Sequence, residues 1–312
     1  MSRKIAFMGT PAFAATVLEH LIAEGYEIVL AVTQEDKKTG RKQILTPPPV
    51  KVIAEKYHIP VFQPHRIRES YEEIFSYEPD LIITSAYGQI VPKALLDYPK
   101  YHCINTHASL LPKYRGAAPI QRAIMNGEEV TGMSIMYMNE KMDEGDIIVQ
   151  RELKIEETDT NSILFDKLAE MTCGMLDEVL PKIFNDEIAP LPQDHDVATY
   201  APMLKKEEEF ISFREDVKKT YDHIRGLLNE PGAYGILDGR KYKFLSVGYE
   251  RNETSVPGVF EGLEKDHLRI GAEGGSILVY RIKPEGKNDM DAKAFYNGTG
   301  KSLTGKRFET SL

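Results

Sequence analysis

The sequence predicts an α/β protein in two parts: a Rossmann-like, doubly wound and mostly parallel sheet over residues 1–189, and a small OB-like β-barrel over residues 209–312, with 190–208 as the linker. Three observations carry this. As far as residue 184, apolar runs of strand length alternate with stretches of helical periodicity, the grammar of βαβ units. Beyond residue 209 the runs are short and separated by Gly, Asp-Gly or Gly-Gly, the grammar of antiparallel strands. At 312 residues the chain also exceeds one average domain.

Lys4–Met8 is an apolar strand ended by Gly9-Thr10-Pro11, Ala12–Ala23 places Phe13, Val17, Leu18 and Leu21 on one helix face, and Glu27–Val32 supplies the second strand. This βαβ opening invites a dinucleotide. The turn holds only Gly9, where a pyrophosphate fingerprint needs three glycines, which argues against NAD. Residues 33–51 are too long for a simple βα connection and carry Lys37, Lys38, Arg41, Lys42 and Lys51 against Glu35 and Asp36. They read as a loop, either a solvated surface or part of a site at the strand's carboxyl end. A helix over 50–57, a short strand at 61–62, a helix over 67–75 and a buried strand over 80–84 follow, then a Gly- and Pro-containing loop over 85–92 and a helix to Leu96.

Tyr101–Ile104 ends another strand. A helix over 120–126 and a methionine-rich strand over 131–138, read as core, precede the acidic turn Asp143-Glu144-Gly145-Asp146, which falls short of a calcium loop. A strand over 147–155 and an amphipathic helix over 162–184 complete the first part. The linker holds prolines and a Lys-Lys-Glu-Glu-Glu run. After it come a helix over 216–227 and strands over 233–237, 241–249, 258–263, 267–272 and 276–283.

Composition is that of a soluble globular chain, 42% hydrophobic and 28% charged. No apolar run reaches membrane-spanning length and no signal peptide opens the chain, so a cytoplasmic location is expected. The net charge of −9 argues against a binder of long nucleic acid. It is uneven: residues 209–312 hold 17 Lys and Arg against 16 Asp and Glu, leaving the acidity to the first part. Cys103 and Cys173 are too isolated for a disulfide framework or a zinc site, and His102, on the opposite strand face from His107, gives no ligand set.

The candidate chemistry lies at residues 102–148. Asn105 and His107 stand two apart, so in an extended segment both side chains leave one face. Asn105 offers a neutral donor, His107 an acid/base with an ordinary pKa of about 6.5, and Asp143 can orient or charge the imidazole from a second loop. That trio suits acyl transfer to an amine, which needs an oxyanion donor and a proton acceptor but no nucleophilic Ser or Cys. The same Asn-x-His also fits a loop cap beside a half-exposed histidine. Ser109 to Ile120, with two prolines and a glycine, reads as a shaped loop.

The string NTHASLLPKYRGAAPIQ, with MDEGDI downstream, resembles the signature of the folate-dependent formyltransferases, and its GAAPIQ wording resembles the branch that acts on methionyl-tRNA. The resemblance implies catalysis by Asn105, His107 and Asp143. It further implies a folate site lined by Ser109, Leu110, Leu111 and Pro112 and by the loop holding Gln89, Ile90 and Val91. An inserted basic loop with Arg41, Lys37 and Lys42 would enter the tRNA acceptor stem, and the OB-like domain would help hold the tRNA. The implied reaction moves a formyl group from 10-formyltetrahydrofolate to the methionine amine of initiator methionyl-tRNA, in translation initiation, by a metal-free monomer. Glycinamide ribonucleotide formyltransferases, which lack a second domain, and aminosugar formyltransferases share the motif, and a folate or RNA binder without catalysis is the rival from another class.

Overall fold

A computed structural model describes residues 3–40 and 42–312. The chain divides into two compact units. The first comprises Met1–Pro119, Val130–Lys154 and Phe165–Pro202, the second Ile120–Glu129, Ile155–Leu164 and Met203–Leu312.

The elements in chain order begin with β1 (Lys4–Gly9), α1 (Ala12–Ala23), β2 (Glu27–Val32), the small hairpin β3 (Lys37–Thr39) and β4 (Ile44–Thr46), α2 (Pro49–Lys56) and β5 (Val61–Phe62). Then follow α3 (Glu72–Phe75), β6 (Leu81–Ser85), α4 (Lys93–Leu96), β7 (Cys103–His107), α5 (Pro119–Met125), β8 (Val130–Tyr137), β9 (Ile147–Lys154) and α6 (Asn161–Phe184). Seven strands form the first unit's sheet in the order β5-β2-β1-β6-β7-β8-β9. The pairs from β5 to β7 are parallel, while β8 and β9 are antiparallel additions. Continuous apolar runs dictate this arrangement: β6 is buried at every position and β1 at all but Lys4, as strands covered on both faces must be.

Three expectations change. Residues 67–75 do not make one helix, because Ile67–Glu69 is a single 3-10 turn and α3 starts afresh at Glu72. The stretch read as a loop over 33–51 contains the β3–β4 hairpin, whose members are exposed and pair only with each other. The β7 strand extends to His107 instead of ending at Ile104, because β8 pairs with it as far as His107 opposite Ser134.

The second unit contains α7 (Val217–Leu227), β10 (Ala233–Leu237), β11 (Arg240–Arg251), β12 (Phe260–Glu264), β13 (His267–Ala272), β14 (Gly275–Pro284), β15 (Met290–Asp291) and α8 (Ala292–Gly298). It is the antiparallel β-domain the turn pattern predicts, in the order β10-β11-β14-β13-β12 with β15 on β14. Asp216 caps α7 by accepting from the Lys218 and Lys219 amides, satisfying two donors that the first turn leaves open. Phe213, Tyr242, Phe244, Phe260 and Phe308 fill its core with Val217, Ile224 and Leu227 of α7. Among the described residues no helix is long and apolar enough to cross a membrane.

Candidate active site

Asn105 and His107 project from the carboxyl end of β7, beside the equivalent end of β6, where Thr84 is in register with Asn105. Open α/β sheets place their sites at this edge. The Thr84 hydroxyl has Asn105 Oδ1 at 2.9 Å and the Ile104 carbonyl oxygen and Met138 Sδ each at 3.0 Å, three acceptors for one proton. This turns the amide so that Nδ2 faces Asp143, donating to Oδ1 at 3.4 Å. The second Nδ2 hydrogen stays available for another acceptor.

His107 is buried, with Nε2 2.9 Å from the Tyr114 carbonyl oxygen. A carbonyl only accepts, so Nε2 carries the proton and donates. The acceptor nitrogen of the neutral ring is therefore Nδ1, which faces Asp143 Oδ2 at 3.7 Å, beyond hydrogen-bond distance but within ion-pair range. The same Oδ2 accepts from the Gly116 amide at 2.8 Å. Asp143 thus lies between the asparagine, the histidine and the GAAP loop. Two glycines make the close approach possible. Gly116 has φ +117 with the Ala201 carbonyl oxygen 2.8 Å from where a Cβ would stand, and a Cβ at Gly145 would lie 1.8 Å from the Tyr137 carbonyl oxygen.

Ser109–Pro112 is a loop shaped by its neighbours in the sheet. Ser134 of β8 donates to the Ser109 carbonyl at 2.6 Å and accepts from the Leu111 amide at 3.1 Å, while Gln150 of β9 donates to the Leu111 carbonyl at 2.8 Å. Leu111 is anchored in a cluster with Met136 and Ile147, whereas Leu110 and Pro112 are only half-buried. In the loop after β6, Gln89 is spent on scaffolding: its Oε1 accepts from the Ile67 amide at 2.8 Å. Val91 is core and Ile90 is 80% exposed, an apolar side chain with nothing over it. The Tyr87 carbonyl accepts from Thr10 and Gln34, and burial pushes the Tyr87 hydroxyl pKa up. Lys37 and Lys42 are exposed on the β3–β4 hairpin, and Arg41 lies outside the described residues.

The sequence did not point to Arg115 or Gln193. Arg115 is 1% exposed, and its Nε and Nη2 donate to Gln193 Oε1 at 3.1 and 2.7 Å. Gln193 Nε2 in turn donates to the carbonyls of Asp143 at 2.9 Å and Gly145 at 2.7 Å. Residues 191–201 run back along the site: Leu191 exchanges both backbone bonds with Ile147, Thr199 accepts from the Arg115 amide and Ala201 donates to the Arg115 carbonyl. The loop's basic residues were the one available signal, and they do not separate Arg115 from Lys113 or point to Gln193. Among the described residues no three His, Cys, Asp or Glu side chains stand together to hold a metal, and both cysteines are free and buried.

Residues 3–180 match the family described as formyl transferase, and residues 203–300 match the formyl transferase C-terminal domain. The methionyl-tRNA formyltransferase of Halalkalibacterium halodurans is 45% identical over 305 residues, 96% of this chain and 96% of that protein. That of Geobacillus thermodenitrificans is 46% identical over 304 residues, 96% of this chain and 95% of that one. Among solved structures, the sugar 3N-formyl transferase WlaRD superposes with a TM-score of 0.67 at 20% identity, over 92% of this chain and 100% of that one. The methionyl-tRNA formyltransferase of Clostridium thermocellum gives 0.58 at 19% identity over 80% and 94%. At such identities the superpositions speak only for the fold, but the near full-length identity to the curated relatives speaks for the family. The chain belongs to the methionyl-tRNA formyltransferases.

Proposed function

We infer that this protein transfers a formyl group from 10-formyltetrahydrofolate to the amino group of methionine on initiator methionyl-tRNA, with Asn105, His107 and Asp143 as its catalytic residues. The observation that carries the reading is the fixed tautomer of His107: with Nε2–H committed to the Tyr114 carbonyl, Nδ1 is the base, and it faces the Asp143 carboxylate. The neutral amine attacks the formyl carbon, forming a C–N bond while the carbonyl electrons move to oxygen. Asn105 Nδ2 donates to that oxyanion. His107 Nδ1 takes the amine's proton and Asp143 stabilises the resulting imidazolium; as the oxyanion collapses to a carbonyl, the bond to folate N10 breaks and the imidazolium returns that proton to N10. The buried setting strengthens each of these electrostatic contacts.

The folate donor is assigned to Ser109–Pro112 and to the Gln89–Val91 loop, which border the same strand ends. Lys37 and Lys42 of the exposed hairpin, together with Arg41, are assigned to the acceptor stem. Residues 1–189 would supply catalysis and 209–312 a second hold on the tRNA, joined through 190–208. The location is cytoplasmic and the active form a monomer. The test offers the purified protein 10-formyltetrahydrofolate with methionyl initiator tRNA, methionyl elongator tRNA or an aminosugar nucleotide, and follows formyl incorporation. Formylation of the initiator in preference to the other two is expected. Formylation of the sugar alone would end the tRNA reading.

A further inference from the structure

We propose that Gln193, held by the buried guanidinium of Arg115, is a positioning residue that sets Asp143 for catalysis, so that the proline-rich segment after α6 completes the active site. The inference rests on the catalytic reading of Asp143 above.

Asp143 sits in a conformation that its own sequence does not secure. Its φ is +55, in the left-handed region that residues with a Cβ seldom adopt. A turn of this kind persists only where the surroundings over-determine it. Gln193 does this from fifty residues downstream, with Nε2 donating to the carbonyls on both sides of Glu144, at 2.9 Å to Asp143 and 2.7 Å to Gly145. Both of its amide hydrogens are thereby used, one on each carbonyl. Its orientation is not free either, because Arg115 donates twice to Oε1 and permits only the oxygen on that side. Arg115 also lies 3.3 Å from Glu144 Oε1, the side chain between the two clamped carbonyls. Guanidinium, amide and turn therefore form one brace, and Asp143 leaves it with Oδ2 aimed at the Gly116 amide and at His107.

Gln193→Glu and Gln193→Ala separate the parts of this brace. The glutamate keeps an acceptor for Arg115 but has no N–H for the two carbonyls, whereas alanine loses both functions. With the parent's turnover of methionyl initiator tRNA as reference, both variants are expected to lose about ten- to a hundredfold in kcat, the penalty of a catalytic group displaced by about an ångström, while KM for tRNA and for 10-formyltetrahydrofolate stays within about twofold. Hydrogen exchange of the peptide spanning residues 141–147 should be faster in both. A glutamate variant within threefold of the parent in kcat would overturn the proposal, since Arg115 pairing alone would then suffice. So would unchanged exchange over 141–147. Should the alanine variant not fold, the glutamate variant carries the test. A parent that formylates nothing would defeat the functional reading instead, and the exchange measurement would still decide whether Gln193 holds the turn.

Discussion

Gly145→Ala is the smallest change that should disable the site without touching a catalytic side chain. A Cβ at this position is set by the backbone alone and cannot rotate away. It would stand 1.8 Å from the Tyr137 carbonyl oxygen and 2.9 Å from its carbon. Real contacts of this kind stay beyond 3.0 Å, so one of the two backbones must retreat by roughly 1.2 Å, an overpacking worth about 1–3 kcal/mol. Tyr137 is the last residue of β8 and is held in register with Ile104 of β7, so the strand resists and the turn moves. Asp143 is two residues upstream in that turn. A displacement of about an ångström costs on the order of a hundredfold in rate, and the stability loss should lower the melting temperature by about 2–4 °C per kcal/mol. The assay is kcat at saturating substrates, with thermal unfolding alongside. Gly298→Ala is the control, since nothing lies within 4 Å of its would-be Cβ and it closes α8. A Gly145→Ala protein with turnover within threefold of the parent and an unchanged melting temperature would refute the packing argument.

Asn105→Ala, His107→Ala and Asp143→Ala should each reduce formyl transfer by about two to four orders of magnitude with the fold retained; turnover within threefold of the parent would remove that residue from the mechanism. Arg41→Ala should lower kcat/KM for methionyl-tRNA at least about tenfold, roughly 1.4 kcal/mol, and leave folate affinity alone; an unchanged value at two salt concentrations would return the hairpin to a solvated surface. Burial pushes the Cys173 thiol up to about 11 and Cys103 higher still, so a thiol reagent at pH 8 should label neither in the native protein and both after denaturation, and rapid native labelling would contradict the packing. A hydrogen bond from Arg122 holds the Glu208 carboxyl below its ordinary 4.5. A depressed carboxylate contributes stability above the unfolded value that is lost as pH falls through the folded one, so Arg122→Met should destabilise at neutral pH and show a shallower loss below pH 4.5. Parallel stability curves for the two proteins through that window would discard the assignment.

The sheet was legible because a buried parallel strand leaves a local trace. Residues 81–83 are a continuous apolar run, and α1 repeats its buried residues at helical spacing, so both could be placed from a window of a few residues. Asn105 and His107 were legible for a related reason, since the period of two in an extended chain puts them on one face wherever the strand ends. The hairpin over 37–46 left no such trace: its strands are fully exposed, so no burial imposes a pattern on Lys37–Thr39 or Ile44–Thr46. The support beneath Asp143 fails differently. Gln193 acts through its amide on two main-chain carbonyls, and a carbonyl is present at every residue whatever the side chain. Nothing in the residues around 143 therefore specifies a partner, and nothing around 193 distinguishes its glutamine from a solvated one. The pairing of Leu191 with Ile147, which helps bring the two segments together, is itself a backbone contact. The groups proposed to react stand out by side-chain type, whereas Gln193 binds to the backbone and becomes visible only once the chain is folded.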